Sequence, residues 1–317
     1  MDIKAKISKT DLIIYYSENR DSVMSMYLTL EHIIPKNKEI RSIGLRYYET
    51  IENIDIYSHE KNILVLSTIL ALFEVKHLRE TLGKNVLIID HHYISILIKN
   101  EYLLTDTTAE DIYYHIGDTT SKFIYQLTVG QTLPYYMKYI QSLETGFSNQ
   151  YKLFHCGLLA GKEYRYPNYF GNYRELLELS DFSIANITKL GESMPVYQVD
   201  EKSIDYQNIK IEDTKVCLLS VNKKSQYLSN YLLEKYPDID IVIIMSTFES
   251  EMYTNITIKG NQAFNKRIDL LGYLINKEQE ELGFQTKFVG SFKGCWFDWY
   301  LGTPLLLGAL RKVLEQM

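Results

Sequence analysis

Apolar residues in the first ninety positions occur in short uninterrupted runs, with longer segments of helical spacing between them. The runs are DLIIYY (11–16), NILVLST (62–68) and NVLIID (85–90), and the helical segments include DSVMSMYLTLEHII (21–34) and FEVKHLRETLG (73–83). A strand that is apolar throughout is typical of a parallel sheet with helices on both faces, whereas a strand buried on one face alternates. The pattern therefore predicts an α/β domain with a parallel sheet.

The remainder of the chain predicts helices first and then a second α/β unit. Residues 109–130, 133–146 and 172–194 have helical patterns, and residues 151–171 are predicted as loop because they are rich in Tyr, Gly, Asn and Pro. Beyond residue 212 the pattern predicts strands at 214–222, 238–247 and 252–260, the last antiparallel because it alternates, and helices at 225–236 and 267–283.

We therefore predict an α/β chain of two unequal domains with a cleft between them. The parallel-sheet domain occupies residues 1–150, a helical connector occupies 151–212, and a smaller α/β domain with a mixed sheet occupies 213–317.

Polar residues follow three of the predicted strands. They are Ser17 to Asp21, Ser67-Thr68, and the triplet Asp90-His91-His92. Ligands of parallel sheets bind beyond the carboxyl ends of the strands, so these segments are predicted to line one crevice. Carboxylates and imidazoles in such a crevice suit a metal ion. Two plainer interpretations stay open: the triplet satisfies backbone groups at a strand end, and Asp21 caps the helix that begins at 21–22.

Composition narrows the functional classes. The net charge of −6 and the pI near 5.7 give no electrostatic case for duplex nucleic acid or an anionic membrane. No apolar run reaches the roughly 20 residues that span a bilayer, and the start MDIKAKISKTD is too polar for a signal peptide. Widely spaced Cys156, Cys217 and Cys295 predict buried thiols in a reducing, cytoplasmic compartment. The 27 tyrosines, with many Ile, Lys and Asn, indicate an AT-rich genome rather than a chemistry.

The motifs of the first domain resemble those of the DHH phosphoesterase superfamily, which includes single-strand exonucleases, nano-RNases and cyclic-dinucleotide phosphodiesterases with a C-terminal DHHA1 domain. IIDHH (88–92) resembles the motif that names the family, and IYYSENRDSVMS (14–25) resembles its first motif, His-x-Asp-x-Asp-Gly. VLSTI (65–69) and KYIQSLETG (138–146) stand where the family carries further aspartates. The resemblance implies a DHH domain.

The rest of the chain follows the same family order. ITKLGESM (187–194) resembles the linking helix, NITIKG (255–260) follows the DHHA1 order, and VGSFKGCW (289–296) falls where that domain places a Gly-Gly-Gly-His loop. The resemblance therefore covers nearly the whole chain and implies a DHHA1-like second domain.

The ligand set that the resemblance implies is incomplete. The family uses two Mn²⁺ or Mg²⁺ ions about 4 Å apart, held by several carboxylates and imidazoles. Four positions where the resemblance implies a metal ligand carry other residues, namely Ser17, Asn19, Ser67 and Ser142. The resemblance leaves Asp21 and Asp90 as metal ligands. If the chain is active, His91 and His92 are its catalytic groups. Two carboxylates do not neutralise two divalent ions. Glu18 and Glu144 are one or two residues from expected positions and are predicted to point elsewhere unless the backbone shifts.

The second domain offers two candidates for substrate binding. Lys293 lies in the loop that lacks the family's histidine and two of its glycines, and it can still offer a point charge to a phosphate. Trp296 belongs to the densest aromatic cluster, with Phe292, Phe297, Trp299 and Tyr300. The cluster suits a stacking platform for bases, but we favour a hydrophobic core around the closing helix, because aromatic stripes are more often core.

We therefore predict a protein of the DHH–DHHA1 type that has lost two-metal hydrolysis and serves as a binding or structural protein. Its expected ligand is a nucleotide or a short single strand, with no cofactor and no membrane partner, and a homo-oligomer or larger assembly is a further hypothesis. The alternative is a divergent phosphodiesterase that acts on short oligonucleotides or cyclic nucleotides. That enzyme would hold one Mn²⁺ or Mg²⁺ on Asp21, Asp90 and His91, with His92 on the phosphate.

Overall fold

The structure of the protein, a computed structural model, divides into two compact units, Met1–Val196 and Tyr197–Met317. The division falls inside the predicted connector, and the three-part domain boundaries stay a prediction. The structure describes residues 3–17, 19–46, 50–51, 54–68, 70, 72–92, 112–114, 118–145, 149–160, 170–193, 206–221, 226–247, 254–261, 264, 268–282, 288–291, 294–301 and 303–316.

The first unit is built on a five-stranded parallel sheet of order β2-β1-β3-β4-β5. The strands are β1 Leu12–Tyr16, β2 Arg41–Leu45, β3 Asn62–Leu66, β4 Asn85–Asp90 and β5 Ile112–Tyr114. Residues of β3 and β4 that point to either face are buried, which explains why these strands are apolar throughout. The predicted parallel sheet is confirmed.

Eight helices surround this sheet in the described part of the unit. They are α1 Ile3–Ile7, α2 Arg20–His32, α3 Leu72–Lys76 with a wider π-helical turn at His77–Thr81, α4 Thr120–Thr128, α5 Tyr135–Thr145, α6 Lys152–Ala160, α7 Phe170–Leu177 and α8 Asp181–Ser193. The predicted end at Gly83 is confirmed, since Gly83 has a φ of +62° that glycine adopts without a steric penalty.

Two predictions for the first unit are wrong. Ile112–Tyr114, predicted within a helix, forms the edge strand β5 beside β4. Lys152–Ala160, predicted as loop, forms α6, whose Phe154 and Leu158 are buried. In both places tertiary contacts override a weak local signal: β4 supplies a backbone partner for the first, and packing against the rest of the unit stabilises the second.

The second unit contains a six-stranded mixed sheet of order β10-β11-β9-β8-β7-β6, in which only the described pair β7–β8 is parallel. The strands are β6 Tyr206–Ile211, β7 Thr214–Val221, β8 Ile241–Thr247, β9 Thr254–Gly260, β10 Phe288–Ser291 and β11 Gly294–Trp299, and the helices are α9 Gln226–Lys235, α10 Ile268–Glu280 and α11 Thr303–Gln316. The predicted mixed sheet and the antiparallel β9 are confirmed. The edge strand β6 was not predicted.

The faces of this sheet are covered separately. Cys217, Leu219, Val242 and Ile244 pack against Leu228 and Leu232 of α9, and Ile256, Ile258 and Phe297 are buried on the other face. The three cysteines are buried free thiols, as predicted. Among the helices that the structure describes, none is long and apolar enough to cross a membrane.

Candidate functional site

The first corner of the candidate site lies at the turn from β1 into α2. The side chain of Asn19 caps α2, because its Oδ1 accepts the Ser22 N–H at 2.8 Å. Asp21 therefore does not cap its own helix. Ser17 Oγ donates to the Leu45 carbonyl at 3.1 Å, which turns it toward the neighbouring strand. The sequence could not distinguish Asn19 from Asp21 as the cap, since both residue types suit that role.

Asp21 is fully buried and its carboxylate accepts three hydrogen bonds. Oδ2 accepts the Ser67 hydroxyl at 2.8 Å and the Thr120 N–H at 3.1 Å, and Oδ1 accepts the Ser121 N–H at 2.9 Å. Thr120 and Ser121 begin α4, so the carboxylate lies at the positive end of that helix. Both oxygens of Asp21 are engaged by neutral protein donors.

Ser67 links the first corner to the second at the end of β3. Its φ of +47° lies in the left-handed region, which is uncommon for a residue with a side chain. The Ser67 N–H donates to the Ile89 carbonyl at 2.9 Å, while its Oγ lies 3.4 Å from Nδ1 of His91. The serine thus stands between Asp21 and His91, in the position where the family resemblance implied a carboxylate.

The predicted triplet begins at the last residue of β4, at the carboxyl edge of the parallel sheet. Asp90 is fully buried, and its Oδ1 lies 2.7 Å from Nδ1 of His92. His91 Nδ1 lies 3.4 Å from Oδ2 of Asp21, and the imidazole rings of His91 and His92 are tilted by 33° to each other with centroids 4.1 Å apart. One ligand atom from each residue of the triplet can be chosen so that all three lie within 4.8 Å of one another. The sheet brings Asp21, Ser67 and the triplet together.

Glu144 completes the cluster from α5. Its Oε2 lies 3.5 Å from Nε2 of His91, and its Oε1 accepts the Asn19 amide at 3.1 Å. The prediction that Glu144 points away is therefore wrong. Ser142 is buried two residues earlier on α5 and leaves the helix in a different direction, because residues two apart do not share a helix face. Glu18 lies outside the described residues.

The charges around His91 determine its protonation. Burial alone lowers the pKa of His91, but the contact with Glu144 and the negative charges of Asp21, Glu144 and Asp90 outweigh it and raise the pKa to about 9. Burial raises the pKa of Glu144, and the contact with His91 outweighs that effect and lowers it. At neutral pH the site therefore contains an imidazolium among carboxylates.

The donor set fits one divalent ion better than two. Asp90, His91 and His92 could hold one ion through an oxygen and two nitrogens, after His91 loses its proton. A second ion about 4 Å away needs a bridging carboxylate, and Ser67 offers a hydroxyl that already donates to Asp21. Within the part of the chain that the structure describes, the donor set does not fit a binuclear centre.

The second unit carries one basic residue that the sequence did not single out. Lys259 of β9 is partly buried opposite Gly294 of β11, and it has no ion-pair partner within the described ranges. Burial lowers the pKa of Lys259 to about 8, although the charge of Glu234 acts in the other direction. A lysine in an alternating strand is a weak sequence signal. Lys293 and the side chain of Trp296 lie outside the described residues, and Trp299 is buried.

Comparisons with solved structures identify the fold. A DHH domain from a protein described as a member of a family of ribosomal proteins has a TM-score of 0.56 and 10% sequence identity, over 99% of this chain and 88% of that one. The chain therefore has the fold of this DHH-domain structure, as its motifs predicted. No protein-family model matches the sequence, and no curated protein matches it significantly.

Two further similar structures are more distant. The pGpG-specific phosphodiesterase PggH from Vibrio cholerae has a TM-score of 0.46 and 9% identity over 96% of this chain and 99% of that one. RecJ from Thermus thermophilus, solved with Mn²⁺, has a TM-score of 0.46 and 10% identity over 99% of this chain and 54% of that one.

Proposed function

We propose that this protein has the DHH fold without its two-metal hydrolysis, and that it serves as a binding or structural protein. The observation that carries the proposal is the carboxylate of Asp21, which accepts three hydrogen bonds from Ser67, Thr120 and Ser121. A ligand to a catalytic ion needs a free oxygen lone pair directed at the ion. Here three of the roughly four acceptor positions of the carboxylate are used to hold a strand end and a helix start together.

The neighbouring groups support the same proposal. The Asn19 amide donates to Glu144, and the imidazolium of His91 lies beside Asp21 and Glu144, so these two carboxylates share one positive counterpart. Buried charges are stable when paired and hydrogen-bonded, and here one imidazolium lies between the carboxylates of Asp21 and Glu144. This cluster functions as a structural ion-pair network at the carboxyl edge of the sheet.

We further propose that the ligand is a nucleotide or a short single strand. Lys259 supports this assignment, because it is a partly buried cation with no ion-pair partner in the described part of the second unit. An anionic group such as a phosphate would compensate its charge.

The second candidate is a divergent phosphodiesterase with one metal ion. The triplet favours it, since Asp90, His91 and His92 present ligand atoms within 4.8 Å of one another. Glu144 adds a further carboxylate oxygen at this position. In this candidate His91 would bind the ion as a neutral imidazole, beside Asp90 and His92.

Turnover in the presence of Mn²⁺ separates the two candidates. The purified protein and its Asp90→Asn variant are incubated with Mn²⁺ and either 5′-phosphorylated diadenylate or cyclic di-AMP, and the products are quantified by chromatography. We expect the wild type to turn over no more of either substrate than the Asp90→Asn variant does. Mn²⁺-dependent turnover that disappears in Asp90→Asn overturns the loss of hydrolysis.

A binding experiment in EDTA tests the ligand. Fluorescein-labelled diadenylate is titrated with the wild type, with Lys259→Met, and with Lys312→Met as a control for the loss of an exposed cation. We expect metal-independent binding that Lys259→Met weakens about tenfold and Lys312→Met leaves unchanged. The absence of binding by the wild type would contradict the nucleotide assignment and leave the structural role.

A further inference from the structure

The aromatic cluster of β11 is divided between the two faces of the second sheet. Successive residues of a strand belong to opposite faces. Cys295, Phe297 and Trp299 are buried, and Phe297 stands opposite the buried Ile256 of β9. Trp296 is one position out of phase with them, so the register places it on the other face, the one that carries α9. The hydrophobic core therefore accounts for Phe297 and Trp299 but gives no reason for Trp296.

The core on the α9 face ends at β9. The cluster beneath α9 draws its sheet residues from β7 and β8, among them Val242 and Ile244. Lys259 and Thr257 of β9 pair with these two residues and so share their face, yet both are partly exposed. The neighbouring part of this face is the β9–β11 shelf, which we define by the residues Thr257, Lys259, Gly294 and Trp296.

The register of the shelf brings a cation and an aromatic residue close together. Gly294 stands opposite Lys259, and Trp296 stands opposite Thr257. Residues that are diagonal across an antiparallel pair lie about 7–8 Å apart, within reach of long side chains. Since Gly294 has no side chain, β11 places no bulk directly opposite Lys259. The diagonal from Lys259 to Trp296 is of the same order as the separation between the phosphate and the base of one nucleotide.

The charged positions give the shelf a direction. Asp298 is the next residue of β11 on the same face, and it stands opposite Asn255, at the far end of the pairing from Lys259. An anionic group is attracted toward a lysine and repelled from an aspartate. A nucleotide whose base lies at Trp296 would therefore direct its phosphate toward Lys259 rather than toward Asp298.

We propose that Trp296 is the base-stacking residue of a mononucleotide subsite in which Lys259 binds the phosphate of the same nucleotide. The proposal rests on the proposed nucleotide binding and deepens it, because it defines the recognised unit as one phosphorylated nucleotide with an unpaired base. Every base has a π-face, so stacking on an indole tolerates different sequences. A base inside a duplex is already stacked and paired, and the shelf therefore favours single strands and free nucleotides.

The two tryptophans of the chain allow a direct test. Trp299→Phe leaves Trp296 as the only indole, and Trp296→Phe leaves only the buried Trp299. Both full-length variants are titrated with AMP in EDTA while tryptophan fluorescence is recorded. We expect saturable quenching in Trp299→Phe, because a stacked base quenches an indole, and none in Trp296→Phe. Equal quenching in the two variants, or none in Trp299→Phe, would overturn the proposal.

The affinity for fluorescein-labelled diadenylate measures what stacking contributes. Trp296→Leu is expected to weaken binding about tenfold or more. Tyr206→Leu removes an exposed aromatic residue from the far edge of the same sheet and should leave binding unchanged. Ribose 5-phosphate, which has the phosphate without the base, should compete about tenfold less well than AMP with the wild type and equally well with Trp296→Leu.

The outcomes separate this subsite from nucleotide binding itself. Wild-type binding that Trp296→Leu does not weaken would overturn the stacking role and leave the nucleotide assignment intact. No binding of diadenylate by the wild type would overturn both. Should Trp296→Leu lower the melting temperature, the fluorescence of Trp299→Phe, which retains Trp296, decides the question.

Discussion

Two buried regions of the first unit keep their geometry by opposite means. The strand-end cluster around Asp21, Ser67 and His91 is filled with polar atoms, and each side chain is held by hydrogen bonds or charge. The contact between α6 and α8 depends on the lack of side chains. A Cβ on Gly157 would lie 1.8 Å from the Ile187 carbonyl oxygen, and one on Gly191 would lie 1.9 Å from that of Leu153.

The difference shows what each region can tolerate. At position 67 the family resemblance implied an aspartate, and this chain has a serine. The cluster remains connected because the Ser67 hydroxyl donates a hydrogen bond to Asp21, which an ionised carboxylate could not do. Polar chemistry can therefore change while the shape is kept. The helix contact has no such freedom, because any side chain collides with a backbone atom that cannot move alone.

The largest effect is expected for Gly157→Ala. The added methyl group must separate α6 from α8, so the free energy of unfolding should fall by about 3 kcal/mol or more. Urea denaturation measures the change, and Gly130→Ala, where a Cβ would meet nothing within 4 Å, serves as the control with an effect of about 0.5 kcal/mol or less. Equal effects of the two substitutions would contradict the close helix contact.

Asp21→Ala should have the next largest effect. It leaves the Ser67 hydroxyl and the N–H groups of Thr120 and Ser121 without their buried acceptor, which costs about 2–4 kcal/mol. The exposed Asp213→Ala provides a control for the loss of a carboxylate. A loss below about 0.5 kcal/mol would show that the cluster adds little to stability.

The pH dependence of stability tests the ion pairs. The pKa of His91 is raised from 6.5 to about 9 in the folded protein, so its contribution is complete below pH 6.5 and decreases as the pH rises toward 9. We expect a loss of roughly 1–2 kcal/mol between pH 6.5 and 8, measured by urea denaturation. His91→Gln should remove this slope.

Other groups titrate mainly outside that interval. Burial lowers the pKa of His155 to about 4, so its titration affects stability only below pH 6.5. The pKa of Glu144 is also lowered, so its titration affects stability only below the ordinary value of 4.5. The pKa of Lys259 is lowered to about 8, so above pH 8 the loss of its proton raises the stability of the folded protein, opposite to the effect of His91. A wild-type profile that is flat between pH 6.5 and 8 would argue against a protonated His91.

The smallest effect, and one of opposite sign, is expected for Gly308→Ala in α11. Its Cβ enters open space and alanine favours a helix, so stability should rise by about 0.5–1 kcal/mol. Thermal denaturation measures the gain. A loss of stability would indicate that the space around Gly308 is narrower than the structure has it.

The sequence predicted the elements with strong local signals. β4 occupies residues 85–90, as its apolar run predicted, and Asp90-His91-His92 begins at its last residue, at the sheet edge. Helix α6 and strand β5 were missed, because their stability comes from neighbours distant in sequence. Edge strand β6 was missed for the same reason: it alternates weakly and is specified by its pairing with β7.

The sequence by itself determined the two α/β units, the parallel sheet and the strand ends at which polar groups collect, since periodicity and burial are local properties of the chain. Only the tertiary structure decided which groups meet there. It directs Asp21 to the start of α4, places Ser67 between Asp21 and His91, and brings Glu144 to His91. These contacts join residues up to 100 positions apart, and their direction depends on helix position and backbone angles that residue spacing does not reveal.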